Sequence, residues 1–465
     1  SMKRISLKYS CLCVTILFCL LAVLAGCVDE SSKPVEPEKP KAVTKPNVIF
    51  MTLDTLRMDH LGAYGNPWIN TPNLDRLARQ NTQLTQCVAT SNGTNPSHAS
   101  MFTSLPCVMH NIYNNHSELS PELVCLPEVL KDAGYSTMAI TSAFHLNPEI
   151  SGFGQGYDTF LKSPEGQRPA GETLRELYKN PAWAQLGSKP FFGWFHFFDP
   201  HMLYEPPEIY RSFFYSGDPV NHEPDTTSDI PITKSLTGWI RGWIGQVKDI
   251  NYLNKLYGGE VAYLDHCLGT VFNDLKERNL WDQTIIGITS DHGEGLGEHD
   301  VYFNHGTLFN EMIMVPLILK PVTNTVKPML LDRPVSTIDI APTLLAQSGL
   351  DSPDQFEGKA IEMTTQPNDD WSQRLLYSEA GFHHGSAVIQ DKWKYYVSRQ
   401  KNEKYLFDIK NGPTEEINLV KPIPDVAGKL ADHLSAFVNR EGASAAKDNS
   451  NPRITDQLKA LGYVE

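Results

Sequence analysis

The sequence is poor in positive charge, and it has almost no low-complexity or repeated segments. Lys and Arg number 40 against 54 Asp and Glu, which gives a formal net charge of −14. A surface of that sign is repelled by nucleic-acid backbones and by anionic lipid faces, so we exclude nucleic acid as a partner. Hydrophobic residues make up 41 % of the chain, which excludes a disordered or collagen-like protein and provides ample material for a core.

Cysteine is also scarce beyond the N-terminal stretch. Four of the eight cysteines lie within the first 27 residues, and the others are Cys87, Cys107, Cys125 and Cys267. No two of these four are at CxxC spacing, which argues against a thiolate zinc site. An exported compartment would permit disulfides, and four cysteines allow three pairings, among which the sequence does not decide.

The first 46 residues are typical of a targeting segment followed by a flexible tether. Basic residues precede an apolar stretch from Cys11 to Leu24, as in a signal peptide (1–27). The LAGC sequence ending at Cys27 resembles the lipobox of bacterial lipoproteins, whose cysteine is acylated. Residues 28–46 are polar and Pro-rich, as expected of a flexible tether. We expect a lipoprotein of the bacterial cell envelope, facing the periplasm or the surface, and attached to the membrane only through Cys27. A transmembrane anchor is the alternative, although the apolar run is short for one.

Folded structure is predicted from Asn47 onward. Apolar runs alternate with helical stretches, which predicts an open α/β sheet. The strand candidates are 48–51, 135–140, 190–195 and 284–289, and the helix candidates include 126–133 and 252–278. Beyond about Asp370 the pattern predicts a small antiparallel sheet, with strands at 387–390, 392–397 and 404–408, followed by a helix at 426–439. We therefore predict a catalytic domain over 47–369 and a C-terminal subdomain over 370–465.

Acidic residues and histidines follow the predicted strands of the large sheet. Asp54 comes after the first strand, Asp199 and His201 after the run at 190–195, and Asp291 and His292 after the run at 284–289. In open α/β sheets, ligands bind at the carboxyl ends of the strands. Because separate segments deliver these side chains to one edge, the sequence predicts a metal site there.

A segment beginning at Thr94 is the strongest single motif. It reads TNPSHASMFT and resembles the sulfatase signature, in which a Cys or Ser is followed by x-Pro-Ser-Arg. Thr94 stands at the nucleophile position, and His98 replaces the Arg. Thr-x-Pro-Ser alone also marks ordinary turns and helix caps. The sequence TLRMDHLGAYG after Asp54 makes the match more specific, since many sulfatases carry it.

A second motif, TSDHGEGLGEH, runs from Thr289 to His299 and matches the metal-ligand segment of the alkaline phosphatase superfamily. HGTLFNE follows from His305. The resemblance covers roughly Asn47 to Leu419. It implies a sulfatase-like fold, in which helices flank a central mixed sheet and a small C-terminal antiparallel sheet carries a helix. It also implies an anionic ester substrate: a small molecule, a glycan or a lipid headgroup.

Two departures from the sulfatase pattern determine the predicted mechanism. Sulfatases convert their Cys or Ser to formylglycine, an aldehyde, and the methyl group on Cβ of Thr94 excludes that oxidation. Sulfatases also place Lys where His305 stands, and a neutral imidazole more naturally binds a metal. In these respects the chain is similar to nucleotide pyrophosphatase/phosphodiesterases and phosphoethanolamine transferases, which use a Thr nucleophile between two zinc ions.

The resemblance implies specific roles for the site residues. Asp54, Thr94, Asp291 and His292 would hold one metal, and His305 would hold a second, with His201 and Asp199 as partners. Four side chains are catalytic candidates: Thr94 as nucleophile, His145 near a His that contacts the nucleophile in sulfatases, His201 as a substrate contact, and His98 as a ligand of the leaving group or the anion. A structural role is the alternative for each histidine.

The ligand set and the nucleophile lead to a predicted function. Carboxylate, imidazole and hydroxyl ligands together suit two zinc or manganese ions, with one calcium ion as the alternative. A metal lowers the pKa of a bound hydroxyl, so Thr94 would attack phosphorus and pass through a phospho-threonine. We predict hydrolysis of a phosphate mono- or diester. The alternatives are sulfate-ester hydrolysis without formylglycine, transfer of a phosphoryl-linked group, and an inactive glycan-binding protein.

Overall fold

An eight-stranded mixed sheet forms the centre of the protein. The computed structural model describes residues 45–164, 166–220, 238–363, 371–440 and 447–448. In chain order the strands are β1 (Asn47–Leu53), β2 (Thr82–Val88), β3 (Ser136–Ile140), β4 (Thr159–Leu161), β5 (Phe191–Phe197), β6 (Thr284–Ser290), β7 (Met314–Lys320) and β8 (Met329–Ser336). Across the sheet their order is β8-β2-β7-β6-β1-β5-β3-β4.

Strand β1 lies between two parallel neighbours, and this arrangement creates the site. It pairs with β5 on one side and β6 on the other, with Thr52 opposite His196 and Leu53 opposite Ser290. Only β7 runs antiparallel to its neighbours, β6 and β2. The carboxyl ends of β1, β5 and β6 therefore meet at one edge, and the residues that follow them become neighbours.

Helices cover both faces of the sheet. They are α1 (Pro72–Gln80), α2 (Thr94–Thr103), α3 (Cys107–His110), α4 (Leu126–Asp132), α5 (Pro148–Ser151), α6 (Ala170–Lys179), α7 (Pro181–Ala184), α8 (Glu208–Phe214), α9 (Gly238–Ile244), α10 (Ile250–Glu277), α11 (Asn310–Ile313), α12 (Ile340–Gln347) and α13 (Pro424–Val438). Side chains alternate along β1: Ile49 and Met51 pack with α1 and α10, whereas Val48 and Phe50 pack with α2 and α12. This alternation gives two cores, one on each face.

A second, antiparallel sheet follows near the C-terminus. Its strands are β9 (Leu376–Glu379), β10 (Gly385–Gln390), β11 (Trp393–Ser398) and β12 (Glu403–Asp408), paired in that order. One face packs against α13, with Val388 against Leu434 and their neighbours. The other face, including Tyr396, packs against Phe309 and Met312 of the main body. The small sheet is therefore buried on both sides.

The fold class predicted from the sequence is confirmed. Each predicted strand and helix is present, with ends shifted by a few residues, and the one strand of the small sheet that was not predicted is β9. From Lys45 onward the chain forms one compact unit. The predicted boundary near residue 370 falls in 364–370, and the signal peptide and most of the tether fall in 1–44; both segments lie outside the described residues. Among the residues that are described, no helix is both long and apolar enough to cross a membrane.

The four cysteines beyond the signal region are free thiols. Cys87, Cys107, Cys125 and Cys267 are each buried and unpaired. Burial raises the pKa of all four thiols. None of the three possible pairings is therefore used. Cys87 and Cys125 act as small apolar groups in one core and Cys267 in the other, and Cys107 is buried outside these two clusters.

Candidate metal centre and nucleophile

Two buried carboxylates form the base of the site. Asp54 directly follows β1 and Asp291 directly follows β6, and both are fully shielded from solvent. Asp291 Oδ1 accepts hydrogen bonds from the backbone N–H groups of Thr55 (3.2 Å) and His292 (2.8 Å). Both oxygens of Asp54, and Oδ2 of Asp291, have no hydrogen-bond partner among the described residues. Buried oxygens without partners are costly unless a ligand satisfies them.

The charge in this region is unbalanced. Burial raises the pKa of Asp54, and the nearby negative charges of Asp291 and Glu294 raise it further. Within the described part of the chain, the nitrogen atoms close to Asp54 and Asp291 in ion-pair contacts all belong to histidines. Burial keeps those histidines neutral, since it lowers the pKa of each. A divalent cation is the group that fits such a set of donors.

Three histidines of the candidate site have the same tautomer, with the proton on Nδ1. Nδ1 of His292 donates to Gly293 O (2.9 Å), Nδ1 of His305 to Asn92 O (2.6 Å), and Nδ1 of His201 to Met202 O (2.6 Å). A carbonyl only accepts, so each neutral ring carries its proton on Nδ1 and a lone pair on Nε2. Metal-binding histidines in proteins are fixed in this way by a second hydrogen bond.

The distances bring most of the predicted ligands together. Ligand atoms of Asp54, Asp291 and His292 all lie within 4.8 Å of one another. The ring of His305 lies 4.2 Å from that of His292, and the ring of His201 lies 5.7 Å from that of His305, measured between centroids. Burial lowers the pKa of His292 to about 4 and that of His305 to about 3, so both are neutral ligands near pH 7.

Asp199 makes other contacts. Its Oδ2 accepts a hydrogen bond from Ala170 N (2.7 Å), and its carboxyl group shares a hydrogen bond with Glu260 of α10. Burial raises the pKa of both carboxyl groups, and the negative charge of Asp199 raises that of Glu260 further. The group of neighbouring ligand atoms at the site comprises Asp54, Asp291 and His292 and does not include Asp199. These contacts attach the loop after β5 to α10.

Thr94 opens helix α2 beside the carboxylates. The side chain is fully buried, and Oγ1 lies 3.5 Å from His292 Nε2. Gly93, in extended conformation, precedes the helix and lets it start abruptly at Thr94. The amino end of a helix carries partial positive charge, which favours an anion at this position. Thr94 therefore faces the same space as the carboxylates and His292.

His98 lies one turn further along α2 and uses both ring nitrogens inside the protein. Its Nδ1 donates to Thr94 O (2.8 Å), and its Nε2 accepts from Thr52 Oγ1 (2.9 Å). The indole N–H of Trp194 donates to the same hydroxyl oxygen at 3.0 Å. An indole N–H only donates, so the order of donors is fixed from Trp194 to Thr52, then to His98, then to the Thr94 carbonyl. This chain of hydrogen bonds holds the backbone of Thr94.

His145 lies close to the segment that carries Thr94. It is fully buried in a short turn after β3, and its carbonyl accepts from Asn95 Nδ2 at 3.0 Å, next to Thr94 in sequence. Burial lowers its pKa far below the ordinary value, and the nearby His201 and His98 lower it further. The histidines of the site therefore form one neutral cluster.

His196 and Asn92 belong to the site and were missed by the sequence analysis. Nε2 of His196 lies 3.3 Å from Asp54 Oδ2. The residue is not conspicuous in the sequence because it lies within the apolar run FFGWFHF of β5. Its position one residue before the end of the strand, opposite Thr52, is the feature that could have indicated a site residue. Asn92 accepts from His305 Nδ1 and donates from Nδ2 to His305 O at 2.6 Å, and no local pattern predicts that pairing.

Comparison with known proteins agrees with this geometry. The family model described as Sulfatase matches residues 46–350, and the one described as N-sulphoglucosamine sulphohydrolase, C-terminal, matches residues 297–439. A protein of Formosa agariphila named Sulfatase is 28 % identical over 459 residues, covering 86 % of this chain and 87 % of its own length.

Solved structures share the fold. The phosphonate monoester hydrolase of Agrobacterium radiobacter superposes with a TM-score of 0.68 at 20 % identity, covering 84 % of this chain and 95 % of its own. A protein solved in complex with its substrate D-glucosamine-2-N,6-O-disulfate superposes with a TM-score of 0.69 at 19 % identity, covering 90 % of this chain and 99 % of its own. Folds of this family hold a divalent metal, and the buried Asp54, Asp291 and His292 supply a suitable ligand group. The chain therefore belongs to the sulfatase family, and it is a hydrolase of anionic esters.

Proposed function

We propose that this protein hydrolyses a phosphate ester, mono- or diester, with Thr94 as the nucleophile. One observation carries the proposal: the buried Oγ1 of Thr94 lies 3.5 Å from His292 Nε2, beside two carboxylates that have unpartnered oxygens. A secondary alcohol cannot be oxidised to the aldehyde on which formylglycine chemistry depends. The side chain must therefore react as a hydroxyl, as the Thr residues of phosphodiesterases in this superfamily do.

The metal ligands would be Asp54, Thr94, Asp291 and His292 for one ion, and His305 with His201 for a second. His196 would orient a ligand rather than bind the metal, because Ser142 N donates to its Nδ1 (3.3 Å) and the proton of the neutral ring therefore lies on Nε2, 3.3 Å from Asp54 Oδ2. Zinc or manganese suits this mixture of nitrogen and oxygen donors better than calcium does. When bound, the ions would lower the pKa of a coordinated hydroxyl and neutralise the charge of the ester.

The protein's own side chains would position and activate the nucleophile. Helix α2 and the hydrogen bond from His98 hold the Thr94 backbone, and the helix amino end faces the anionic ester. The hydroxyl of Thr94 would lose its proton to the site as its oxygen bonds to phosphorus. The phosphorus–oxygen bond to the leaving group would break, and the alkoxide would take up a proton from the site. Water would then attack the phospho-threonine and return Thr94 to its hydroxyl form.

A sulfate ester is the second candidate substrate. The matching family and the Formosa agariphila relative are named as sulfatases, which favours sulfur, whereas the structural match to a phosphonate monoester hydrolase favours phosphorus. The replacement of the family's Lys by His305 supports phosphorus, because a neutral imidazole can bind a second metal ion, as in the Thr-dependent phosphodiesterases of the superfamily. The neighbour that binds D-glucosamine-2-N,6-O-disulfate supports a sugar as the leaving group.

Substrate preference and the nucleophile are tested together. The metal-loaded protein is assayed with 4-nitrophenyl phosphate, bis-4-nitrophenyl phosphate and 4-nitrophenyl sulfate. We expect a phosphate ester to give the highest kcat/KM, and Thr94→Ala to lower kcat by about 10⁴-fold or more, as loss of a nucleophile does elsewhere. Thr103→Ser, on the same helix, is the control for packing. Preference for the sulfate ester would establish the second candidate, and near-normal turnover in Thr94→Ala would refute the nucleophile.

We also propose that the enzyme is a bacterial envelope lipoprotein acylated at Cys27. The LAGC motif after an apolar stretch supports this location. Growth with radioactive palmitate should label the full-length protein in a bacterial host, and Cys27→Ser should remove the label. Labelling that persists in Cys27→Ser would contradict the assignment.

A further inference from the structure

A second pocket opens where the small sheet meets the main body. Its volume is about 250 Å³, and its walls come from α3 and the loop after it, from β9 and β10, from the turn after β11 and from the end of α13. The polar lining includes Tyr113, Glu379, His383, Ser386, Arg399 and Arg440. None of these residues takes part in the mechanism proposed above.

Glu379 forms the floor of the pocket. Its Oε1 accepts from the hydroxyl of Tyr113 (2.9 Å), and its Oε2 accepts from Val108 N (2.9 Å). The side chain is almost fully buried, so its position is fixed by these two donors. The ring of Tyr113 lies 3.7 Å from that of His383 between centroids, and the two rings give the pocket one aromatic wall.

Two guanidinium groups stand above this floor. Arg399 donates from Nη1 to His383 O (3.1 Å) and to Ser386 Oγ (3.2 Å), and Arg440 pairs with Glu357 outside the pocket. Each guanidinium has five N–H donors in a planar fork, so these bonds leave donors available for a ligand. Two such forks beside an aromatic wall and a polar floor suit a sugar ring that bears a planar or tetrahedral anion.

The pocket is connected to the metal centre through one residue. The turn Gly381–His383 forms its rim, and Gly381 N donates to Asn92 Oδ1 at 2.9 Å. Asn92 in turn accepts from His305 Nδ1 and donates to His305 O, both at 2.6 Å. A ligand in the pocket would therefore lie on the far side of Asn92 from His305.

We propose that this pocket binds a monosaccharide unit that carries a carboxylate or a sulfate. That unit would belong to the same glycan whose ester is cleaved at Thr94, and only this last statement rests on the proposed function. The volume lies just below the range of drug-sized sites, roughly 300–1,000 Å³, and so fits one sugar ring rather than several. Arg399 and Arg440 would bind the anion, and Tyr113 with His383 would contact the ring.

The test uses probes without a cleavable phosphate. Methyl β-glucuronide, glucose 6-sulfate and neutral methyl β-glucoside are titrated into the full-length, metal-loaded protein by calorimetry. We expect at least one charged sugar to bind about tenfold or more tightly than the glucoside, because charge-assisted hydrogen bonds contribute that much. The charged sugar that binds identifies the preferred anion, a carboxylate for methyl β-glucuronide or a sulfate for glucose 6-sulfate.

Variants locate the binding. Arg399→Gln combined with Arg440→Gln should weaken binding of the charged sugar about tenfold or more. The control Lys401→Gln, which removes an exposed charge from the adjacent turn, should leave binding unchanged. Turnover of 4-nitrophenyl phosphate should be equal in all variants, which also shows that they fold. If neither charged sugar binds, or if the arginine changes leave binding intact, the pocket assignment is wrong. Absent turnover with intact sugar binding would instead refute the proposed function alone.

Discussion

The hydrogen-bond chain through His98 leads to a prediction with two matched substitutions. An Asn side chain places its amide where the His Nδ1 lies, and a Gln side chain reaches the position of Nε2. His98→Asn should therefore keep the bond to Thr94 O and lose the one to Thr52, whereas His98→Gln should do the reverse. Only the second variant loses the side-chain hydrogen bond to the Thr94 carbonyl.

The magnitude follows from burial. His98 and Thr52 are fully buried, so His98→Asn leaves the Thr52 hydroxyl without an acceptor, whereas His98→Gln removes one hydrogen bond from the Thr94 carbonyl, which keeps its backbone bond within α2. An unsatisfied buried group costs about 1–3 kcal/mol, and the small volume change adds a further amount of order 1 kcal/mol. His98→Asn should therefore lose about 2–4 kcal/mol of unfolding free energy, and His98→Gln, which loses one hydrogen bond, should lose about 2 kcal/mol. A shift of the reacting oxygen by an ångström costs about 10²-fold in rate, so kcat should fall by that factor in His98→Gln and much less in His98→Asn.

Urea unfolding and steady-state kinetics with an aryl phosphate measure the two quantities. A direct contact between His98 and the anion, the role expected from the sequence, predicts a different outcome. A raised KM with unchanged kcat and unchanged stability in both variants would refute the positioning role and restore the anion contact. Equal losses of kcat in both variants would show that the Thr94 carbonyl is not the sensitive point.

Three other predictions follow from the site and the core. Purified protein should contain close to two zinc or manganese ions per chain by mass spectrometry, and calcium as the sole ion would contradict this. His196→Ala should weaken metal binding about 10–100-fold, as loss of a group that contacts a metal ligand does in other metal sites. Burial raises the pKa of the Glu379 carboxyl to about 7 from its ordinary 4.5, so the folded wild type should lose roughly 3 kcal/mol as pH rises through that interval. Glu379→Gln should lack this loss, and a constant stability difference between the two proteins from about pH 4.5 to about pH 8 would contradict the raised pKa. The four buried thiols should react with a disulfide reagent only after unfolding, and a reductant should leave the unfolding temperature unchanged; a lower temperature with reductant would indicate a disulfide.

The two buried carboxylates of the candidate metal site were predictable because their signal is local. Asp54 and Asp291 each follow a short apolar run, and the rule for parallel strands places such positions at one edge. The register confirms the reason, since Leu53 lies opposite Ser290 and the next residue on each strand is the carboxylate. The fold class was predictable from local signals too, because a chain in which strands and helices alternate has few possible architectures.

Other features depend on residues distant in sequence, and no local pattern contains them. Asp199 was predicted as a ligand because it follows β5, but its partner Glu260 lies on a helix whose position the sequence does not specify. His98 was compared with an arginine, and its real partner, Thr52, is 46 residues away. Thr55 adopts φ of 55°, a left-handed conformation rare for a β-branched residue, which its contacts with Asp291 and Tyr257 hold in place.

The shared apolar cluster between the small sheet and the main body limits how this enzyme can be divided. Phe309 and Met312 follow the segment that carries His305, and they are covered by β10 to β12. A chain cut before β9 would expose these side chains to water beside the metal centre. The C-terminal sheet therefore cannot be removed or exchanged as an independent domain. Any engineering of specificity has to retain it, because it covers apolar side chains of the main body.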